Sequence, residues 1–439
     1  KRLDLSTFDV SGTTNGVRTG LVSRSVDDAL QASVWTATSR VGALTVRSQL
    51  LQAINATQGT PGDGTSIADA VSALQSSFTV LQAQPSGQTQ QASVVAAAGT
   101  LAATVNRTAN AITKERNGVQ GQIVSAVATL NAALSSVQST THDIINAIGA
   151  NKDTANLEDQ RDAALQRMSG ILDLHYDKQA NGDITILGRS GFSLPLDSQF
   201  STESSVLSSA SSYAAGSSSI PPILLHSSNP SVAASDVTGQ MSGGQLGELI
   251  QLRDSTLPSY TASLDTFSAK TAGKFSSQGL QLFTDGTGAG ALSSYPGLSS
   301  QIEVNPAVLA TPSAIRDGTA GSPGSTFPVN PAGGPSGFPD LIARVLNTTF
   351  AGGPASPSLI ADAQSFVAQQ STAAGRATSG LAGATSYQTT VATRFSDGSG
   401  VNVDHEMALM IQLQNSYQAN ARVVQTTQTL FTALLDATR

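Results

Sequence analysis

Residues 401–436 have the sequence "VNVDHEMALMIQLQNSYQANARVVQTTQTLFTALLD", which contains a single charged residue, Arg422, between Met407 and Leu435. Apolar or small neutral residues recur there in alternating steps of four and three, the spacing of one face of a coiled-coil helix. The first row comprises Val403, Met407, Met410, Gln414, Tyr417, Ala421, Val424, Gln428, Phe431 and Leu435. A second row lies beside it and comprises Leu409, Leu413, Ser416, Asn420, Val423, Thr427, Leu430 and Leu434. Two adjacent rows form a face wide enough to contact two or more neighbouring helices.

The stretch therefore predicts a terminal coiled-coil-type helix that packs against other subunits. We expect the interface to be formed by Met407, Met410, Leu413, Tyr417, Ala421, Val424, Phe431, Leu434 and Leu435. An internal core helix of the same chain is the alternative that the pattern leaves open. A membrane span is disfavoured, because the Gln and Asn side chains of this stretch would need hydrogen-bond partners in hydrocarbon.

The composition excludes several classes of protein. Of the 439 residues, 12% are charged, against roughly 25% in ordinary soluble domains. The chain has no cysteine, which rules out disulfides and cysteine-based metal or thiol chemistry. Its net charge of −7 gives no basic footprint for nucleic acid. The first ten residues lack the apolar segment of a secretory signal.

Sequence motifs for catalysis or cofactor binding are incomplete. His405-Glu406 begins a zinc-protease signature, but Leu409 stands where the second histidine ligand would be. The stretch "GTGAGA" at 286–291 fits a loose dinucleotide fingerprint, yet it lacks the flanking strand and helix that hold a pyrophosphate. There is no G-x-S-x-G elbow, and acidic pairs such as Asp27-Asp28 fit helix starts. We therefore expect no enzyme, no cofactor and no metal site.

Proline positions show where long helices can run, because proline removes an amide donor and clashes with the preceding turn. No proline lies between Ser86 and Leu194, and ten of the 17 prolines lie between Pro296 and Pro357. Apolar residues recur at helical spacing from Gln90 to Ile148, which predicts a helix roughly 85 Å long. Shorter helices are predicted from an N-cap at Ser25 and over the row from Ile67 to Leu81.

The fold class predicted is mainly α with a β-rich insertion: an elongated helical bundle built from both chain ends, an inserted β domain and a terminal helix. Residues 1–172 are assigned to the N-terminal half of the bundle, 173–240 to the β-rich inserted domain and 241–283 to a bundle helix, which Pro258 should kink or divide. Residues 284–357 are Gly/Pro-rich and irregular, 358–398 form the C-terminal bundle helix, and 399–439 form the assembly helix. Within the insertion, Asn181-Gly182 predicts a type I′ hairpin turn.

The stretch "NSYQANARVVQTTQTLFTALLD" resembles the C-terminal helix of flagellar axial proteins, in particular the family of hook-associated protein 1, the first hook–filament junction protein. "NLEDQRDAALQRMSGILDL", "GGQLGELIQLRDSTLPSYTASLD" and "IEVNPAVLATPSAIRDG" agree with the same family, and "VRTGLVSRSVDDALQASVW" resembles its first outer-domain helix. The resemblance spans nearly the whole chain and is weakest in 195–240 and 318–357.

The resemblance implies a non-enzymatic structural subunit, exported through the flagellar type III apparatus and located outside the cell at the hook–filament junction. Its partners would be copies of itself in a ring, the hook protein, the second junction protein and an export chaperone that binds the C-terminal helix. Family members also begin with a helix that pairs with the C-terminal one in an inner tube, so we expect a partner helix that the printed sequence does not contain. A flagellin, the second junction protein, and a secreted adhesin that binds glycans through the Ser-rich insertion and Tyr213 remain alternatives.

Overall fold

The computed structural model describes residues 2–10, 13–24, 26–59, 62–208, 219–285, 296–319, 338–352, 357–399 and 403–437. The α-helices are α1 (Asp28–Thr57), α2 (Ile67–Ala83), α3 (Gln88–Gly149), α4 (Ala155–Ile171), α5 (Gly244–Gln251), α6 (Leu257–Ser276), α7 (Pro306–Ala310), α8 (Ala314–Asp317), α9 (Phe338–Arg344), α10 (Leu359–Ser399) and α11 (Val403–Ala437). The strands are β1 (Arg2–Val10), β2 (Thr13–Ser23), β3 (Leu174–Lys178), β4 (Ile184–Gly188), β5 (Ser193–Leu194), β6 (Gln199–Ser201), β7 (Leu224–His226), β8 (Ser235–Asp236), β9 (Phe283–Thr284) and β10 (Glu303–Val304). The predicted class, mainly α with a β-rich insertion, is confirmed.

The long helix α3 is the element on which most of the bundle packs. It runs for 62 residues, two residues beyond the prediction at its start and one at its end, and is roughly 93 Å long. Its buried row includes Val94, Leu101 and Ile112, and continues to Ile144. Helices α2, α4, α5 and α6 all pack against it. The apolar periodicity therefore sets the length of the bundle.

Helix α1 begins later than its predicted cap. Ser25 lies outside the described residues, and the N-cap is Asp27, whose carboxylate accepts hydrogen bonds from the amides of Ala29 and Leu30 at 3.0 Å each. A carboxylate is favoured there because it satisfies free amides and meets the positive end of the helix dipole.

Both ends of the chain contribute to the bundle, as predicted. Helices α1 and α10 lie side by side and antiparallel, so that Thr38 contacts Gln388 and Asn55 contacts Ser371.

The N-terminal segment differs from the expectation. Strands β1 and β2 form an antiparallel hairpin, with Thr7 paired to Val17 and Arg2 to Ser23. The segment assigned to the N-terminal half of the bundle thus opens with a hairpin, and residues 17–23, which resembled the start of a helix, lie in β2. Leu3 and Leu5 alternate with polar residues in β1, and both strands contain β-branched residues. Such sequences favour an extended backbone.

The inserted region contains two antiparallel three-stranded sheets, β3-β4-β5 and β6-β7-β8. The predicted type I′ turn between β3 and β4 is wrong: Gly182 has a φ of 90°, whereas Asn181 is absent from the residues with positive φ. The amide of Gly182 donates to the carbonyl of Gln179 at 3.0 Å, as in a three-residue loop that ends in a glycine. Packing also requires glycine at this position, because a Cβ on Gly182 would lie 2.7 Å from Ile148 Cδ1 of α3.

Pro258 produces a local change of helix type. Helix α5 continues into a π-helical turn, Leu252–Thr256, and α6 starts at Leu257, which agrees with the predicted division. In the π register the amide of residue 258 would donate to the carbonyl of Arg253, but proline has no amide hydrogen. That carbonyl instead accepts a hydrogen bond from Arg116 Nε at 2.9 Å.

One part of the core is built from aromatic rings. The rings belong to Phe78 of α2, Phe275 of α6, Phe283 of β9 and Phe350, and each residue is at most 2% exposed. The centroids of neighbouring rings lie 5.6–5.8 Å apart. These residues join the proline-rich part of the chain to the bundle, since Phe283 and Phe350 flank it.

Candidate assembly surface

Helix α11 carries the predicted interface residues and is separated from α10 by residues 400–402. Its 35 residues extend for roughly 52 Å. Within the part of the chain that the structure describes, no other helix or strand packs extensively against α11. The bundle therefore does not supply the apolar cover that the two rows of the sequence require.

The predicted residues are accessible to solvent on α11. Met407 and Met410 are each 51% exposed, Tyr417 is 78% exposed, and Phe431 is 65% exposed. Ala421, Val424, Leu434 and Leu435 are exposed as well, and Leu413 lies on the helix with its side chain outside the described part. Every described side chain of α11 is exposed.

The apolar exposure of the described residues is concentrated on this helix. Ten of the 16 exposed large apolar residues lie on α11, and the other six are scattered over separate segments. Each such side chain would gain ~1.5–3 kcal/mol on full burial, and contiguous exposed apolar surface marks interaction sites. The helix therefore has the contiguous exposed apolar surface that is typical of an interaction site.

The described residues offer no comparable site for chemistry. Among them, no three His, Cys, Asp or Glu side chains come close enough to hold a metal ion. No described helix has both the length and the apolar content needed to cross a membrane. The "GTGAGA" stretch, Tyr213 and the side chain of His405 lie outside the described part.

Charged side chains in the bundle act as structural links. Arg24 Nη2 lies 2.5 Å from Asp162 Oδ2, and Asp159 and Glu158 lie within 3.4 Å of the same guanidinium. Although burial alone would lower the pKa of Arg24, the Asp162 hydrogen bond and the three carboxylates raise it. These ion pairs attach the segment that precedes α1 to helix α4.

A second set of links holds the inserted region on α3, and the sequence analysis did not find it. Asn131 donates to the carbonyl of Phe200 at 2.7 Å and accepts from its amide at 2.8 Å. Asn117 forms the same pair of bonds with Leu207, at 3.4 and 2.6 Å. Each asparagine side chain thus forms the pair of backbone hydrogen bonds that a neighbouring strand would form. The two asparagines are fourteen residues apart on the same face of α3.

Two buried arginines complete these links. Arg253, which is 0% exposed, binds Asp254 with two hydrogen bonds and also donates to Gln120 Oε1 and the carbonyl of Pro221. Burial lowers the pKa of Arg116, with Asp254 opposing the shift and Arg253 adding to it. No local feature of the sequence marks these polar residues as buried or part-buried.

Residues 51–291, more than half of the chain, match the flagellar hook-associated protein FlgK helical domain, and residues 392–437 match the flagellar basal body rod FlgEFG protein C-terminal family. The flagellar hook junction protein FlgK from Burkholderia pseudomallei is 21% identical with a TM-score of 0.48, covering 58% of this chain and 45% of that one. This chain therefore spans less than half the length of that structure. No curated protein sequence matches it.

The first match runs from the end of α1 through α3, the inserted sheets and α6, which are the elements that form the bundle and its links. The second match covers the whole of α11 and the last residues of α10. Because the helical-domain match accounts for more than half of the residues, the chain belongs to the FlgK family of flagellar hook-associated proteins.

Proposed function

We propose that this chain is a structural subunit of the bacterial flagellum that joins the hook to the filament, and that α11 carries its assembly interface. The observation that carries the proposal is the exposed apolar face of α11. The match of residues 392–437 to the C-terminal family of rod proteins supports an axial location for this helix.

The resemblance to hook-associated proteins suggests the partners, and the two rows on α11 suggest how copies of the chain meet. Copies of the chain would form a ring in which α11 contacts at least two neighbours, one row to each. The hook protein would lie on one side of the ring, and the second junction protein would lie on the other. Before assembly, an export chaperone would cover Met407, Tyr417, Phe431 and their neighbours.

The location and mode of action are part of the same proposal. The subunit would be secreted unfolded through the type III apparatus and would fold outside the cell, for which a chain without cysteine is suited. Its role would be mechanical: α11 joins the inner tube, and the α3 bundle fills the space between a hook that bends and a filament that does not. This role needs no catalytic group.

The test places charges in the apolar face of the full chain. Tyr417→Asp combined with Phe431→Asp should abolish incorporation into flagella, because each carboxylate would be buried against a neighbour. Gln425→Asp, exposed on the same helix outside both rows, is the matched control. Both variants should retain the thermal unfolding of the bundle, since all three positions are exposed.

Immunogold labelling with an antibody to residues 173–240 locates the wild-type chain. Gold confined to the hook–filament boundary is the expected result. Gold along the filament would indicate a flagellin, and gold on the cell body alone would indicate an adhesin. Normal incorporation of the double variant would refute α11 as the interface.

A further inference from the structure

The first part of helix α10 is anchored in the main hydrophobic core. Leu359, Ala363, Phe366 and Val367 are at most 6% exposed and belong to the main hydrophobic cluster. The chain just before the helix is also fixed, because Lys274 Nζ donates to the carbonyl of Pro357 at 2.6 Å. The start of α10 is therefore part of the bundle core.

The middle of α10 has no large buried apolar side chain. After Val367, the buried positions are Gln370, Ala374, Ala377 and Ala384, and the next large apolar one is Val391. Alanine buries little apolar area of its own, and Ala374 and Ala377 cover Leu51 of α1 in a small cluster that is separate from the main hydrophobic core. Three glycines in the same segment, at 375, 380 and 383, weaken the helix itself.

Outside this small cluster, polar side chains supply the contacts between the middle of α10 and α1. The hydroxyls of Ser48 and Thr378 lie 3.3 Å apart, and Gln388 Nε2 donates to Thr38 Oγ1 at 3.0 Å. Ser371 Oγ donates to Asn55 Oδ1 at 2.9 Å. Such bonds fix the register of the pair, but water can replace them when the helices separate, so their net contribution is small.

Gln370 marks the boundary between the two parts of the helix. Its side chain is only 3% exposed, yet neither amide atom has a hydrogen-bond partner. A buried amide without partners favours any state in which it reaches water. Separation of the helices just beyond Val367 would expose this group.

We propose that residues 371–399 of α10 form a hinged arm, which opens from α1 about the fixed segment 359–367 and carries α11 with it. Val391 and the partly buried Phe395 hold the arm in the closed position. Both side chains pack on the main hydrophobic cluster opposite the first third of α1. Opening changes the orientation of α11 relative to the bundle without unfolding α3. This behaviour is a property of the isolated chain and does not depend on the assembly role of α11.

Hydrogen exchange on the full chain, followed by mass spectrometry, tests the arm. Amides of 371–390 should exchange about tenfold or more faster than those of 359–367 and of the buried face of α3, because locally weak segments open without global unfolding. Val391→Ala should accelerate exchange further across 371–399 and leave α3 unchanged. The control is Val119→Ala, a buried valine of α3 at 0% exposure, which should leave the 371–390 rates unchanged.

A disulfide cross-link between α1 and α10 tests the proposal by preventing the arm from opening. Ser48→Cys with Thr378→Cys would introduce the only two cysteines of the chain, at hydroxyl positions 3.3 Å apart. The oxidised protein should lose the fast exchange of 371–390, and reduction should restore it. Protection of 371–390 equal to that of α3 in the wild type, or rates unaffected by both Val391→Ala and the cross-link, would overturn the hinged arm.

Discussion

The two asparagines of α3 should be the main attachment of the inserted region, and Asn131→Ala tests one of them. In antiparallel strands the amide and carbonyl of one residue point to the same side. Those of Phe200 point to Asn131, while the other side of β6 is paired with β7. The substitution therefore leaves both backbone groups of a residue that is only 3% exposed without partners.

The expected magnitude follows from these bonds. Two side chain–backbone hydrogen bonds contribute about 1 kcal/mol each, and leaving the buried groups of Phe200 unpaired adds about 1 kcal/mol. Alanine returns about 0.5 kcal/mol because it favours helix more than asparagine does. The unfolding free energy should fall by about 2–3 kcal/mol.

Urea denaturation followed by tryptophan fluorescence measures this loss. The single tryptophan, Trp35, is suited to it because its ring lies 5.0 Å from that of Tyr176 in β3. Asn110→Ala, at an exposed position of the same helix, is the control and gives the gain in helix propensity alone. A loss for Asn131→Ala within about 0.5 kcal/mol of the control would refute the role of the pair.

Two further predictions concern α2. Phe78→Ala should lower the unfolding free energy by about 3–5 kcal/mol, because the ring is fully buried against those of Phe275 and Phe350; calorimetry measures it, and a loss under about 1 kcal/mol would contradict the packing. Burial would raise the pKa of Asp69, but hydrogen bonds from Gly62 and from the amide and hydroxyl of Ser66 lower it below 3.8. The folded pKa thus lies below the unfolded one, so the carboxylate stabilises the fold above about pH 4 and loses this effect as pH falls through the folded value. Asp69→Ala should cost about 1 kcal/mol at pH 7 and much less near pH 2, as measured by urea titrations at each pH; a cost independent of pH would argue against the capping box.

Helix positions were predictable because they depend on local periodicity. The row from Ile67 to Leu81 became α2 with every member buried, and the run after Gln90 became α3. Both are heptad patterns in proline-free segments, where the short-range signal and the tertiary packing agree.

Features set by distant parts of the chain were not predictable. The loop at Asn181-Gly182 packs closely against Ile144 and Ile148 of α3, which local sequence does not indicate. The π-helical turn before Pro258 depends on Arg116, which is 137 residues away. Polar residues such as Asn117 looked like solvated positions in the sequence, because nothing local indicates that a strand will lie on them.

The predicted assembly surface lies between these two cases, since the pattern places its residues on one helix but does not name what covers them. The chemistry of the helix favours copies of the same chain. In a ring of identical subunits a charged residue near the contact meets like charges, which destabilises the interface. Between Met407 and Leu435 only Arg422 is charged, and the polar positions are mainly Gln, Asn, Ser and Thr. Their amides and hydroxyls both donate and accept hydrogen bonds, so they can pair with the polar residues of a neighbouring copy of the helix.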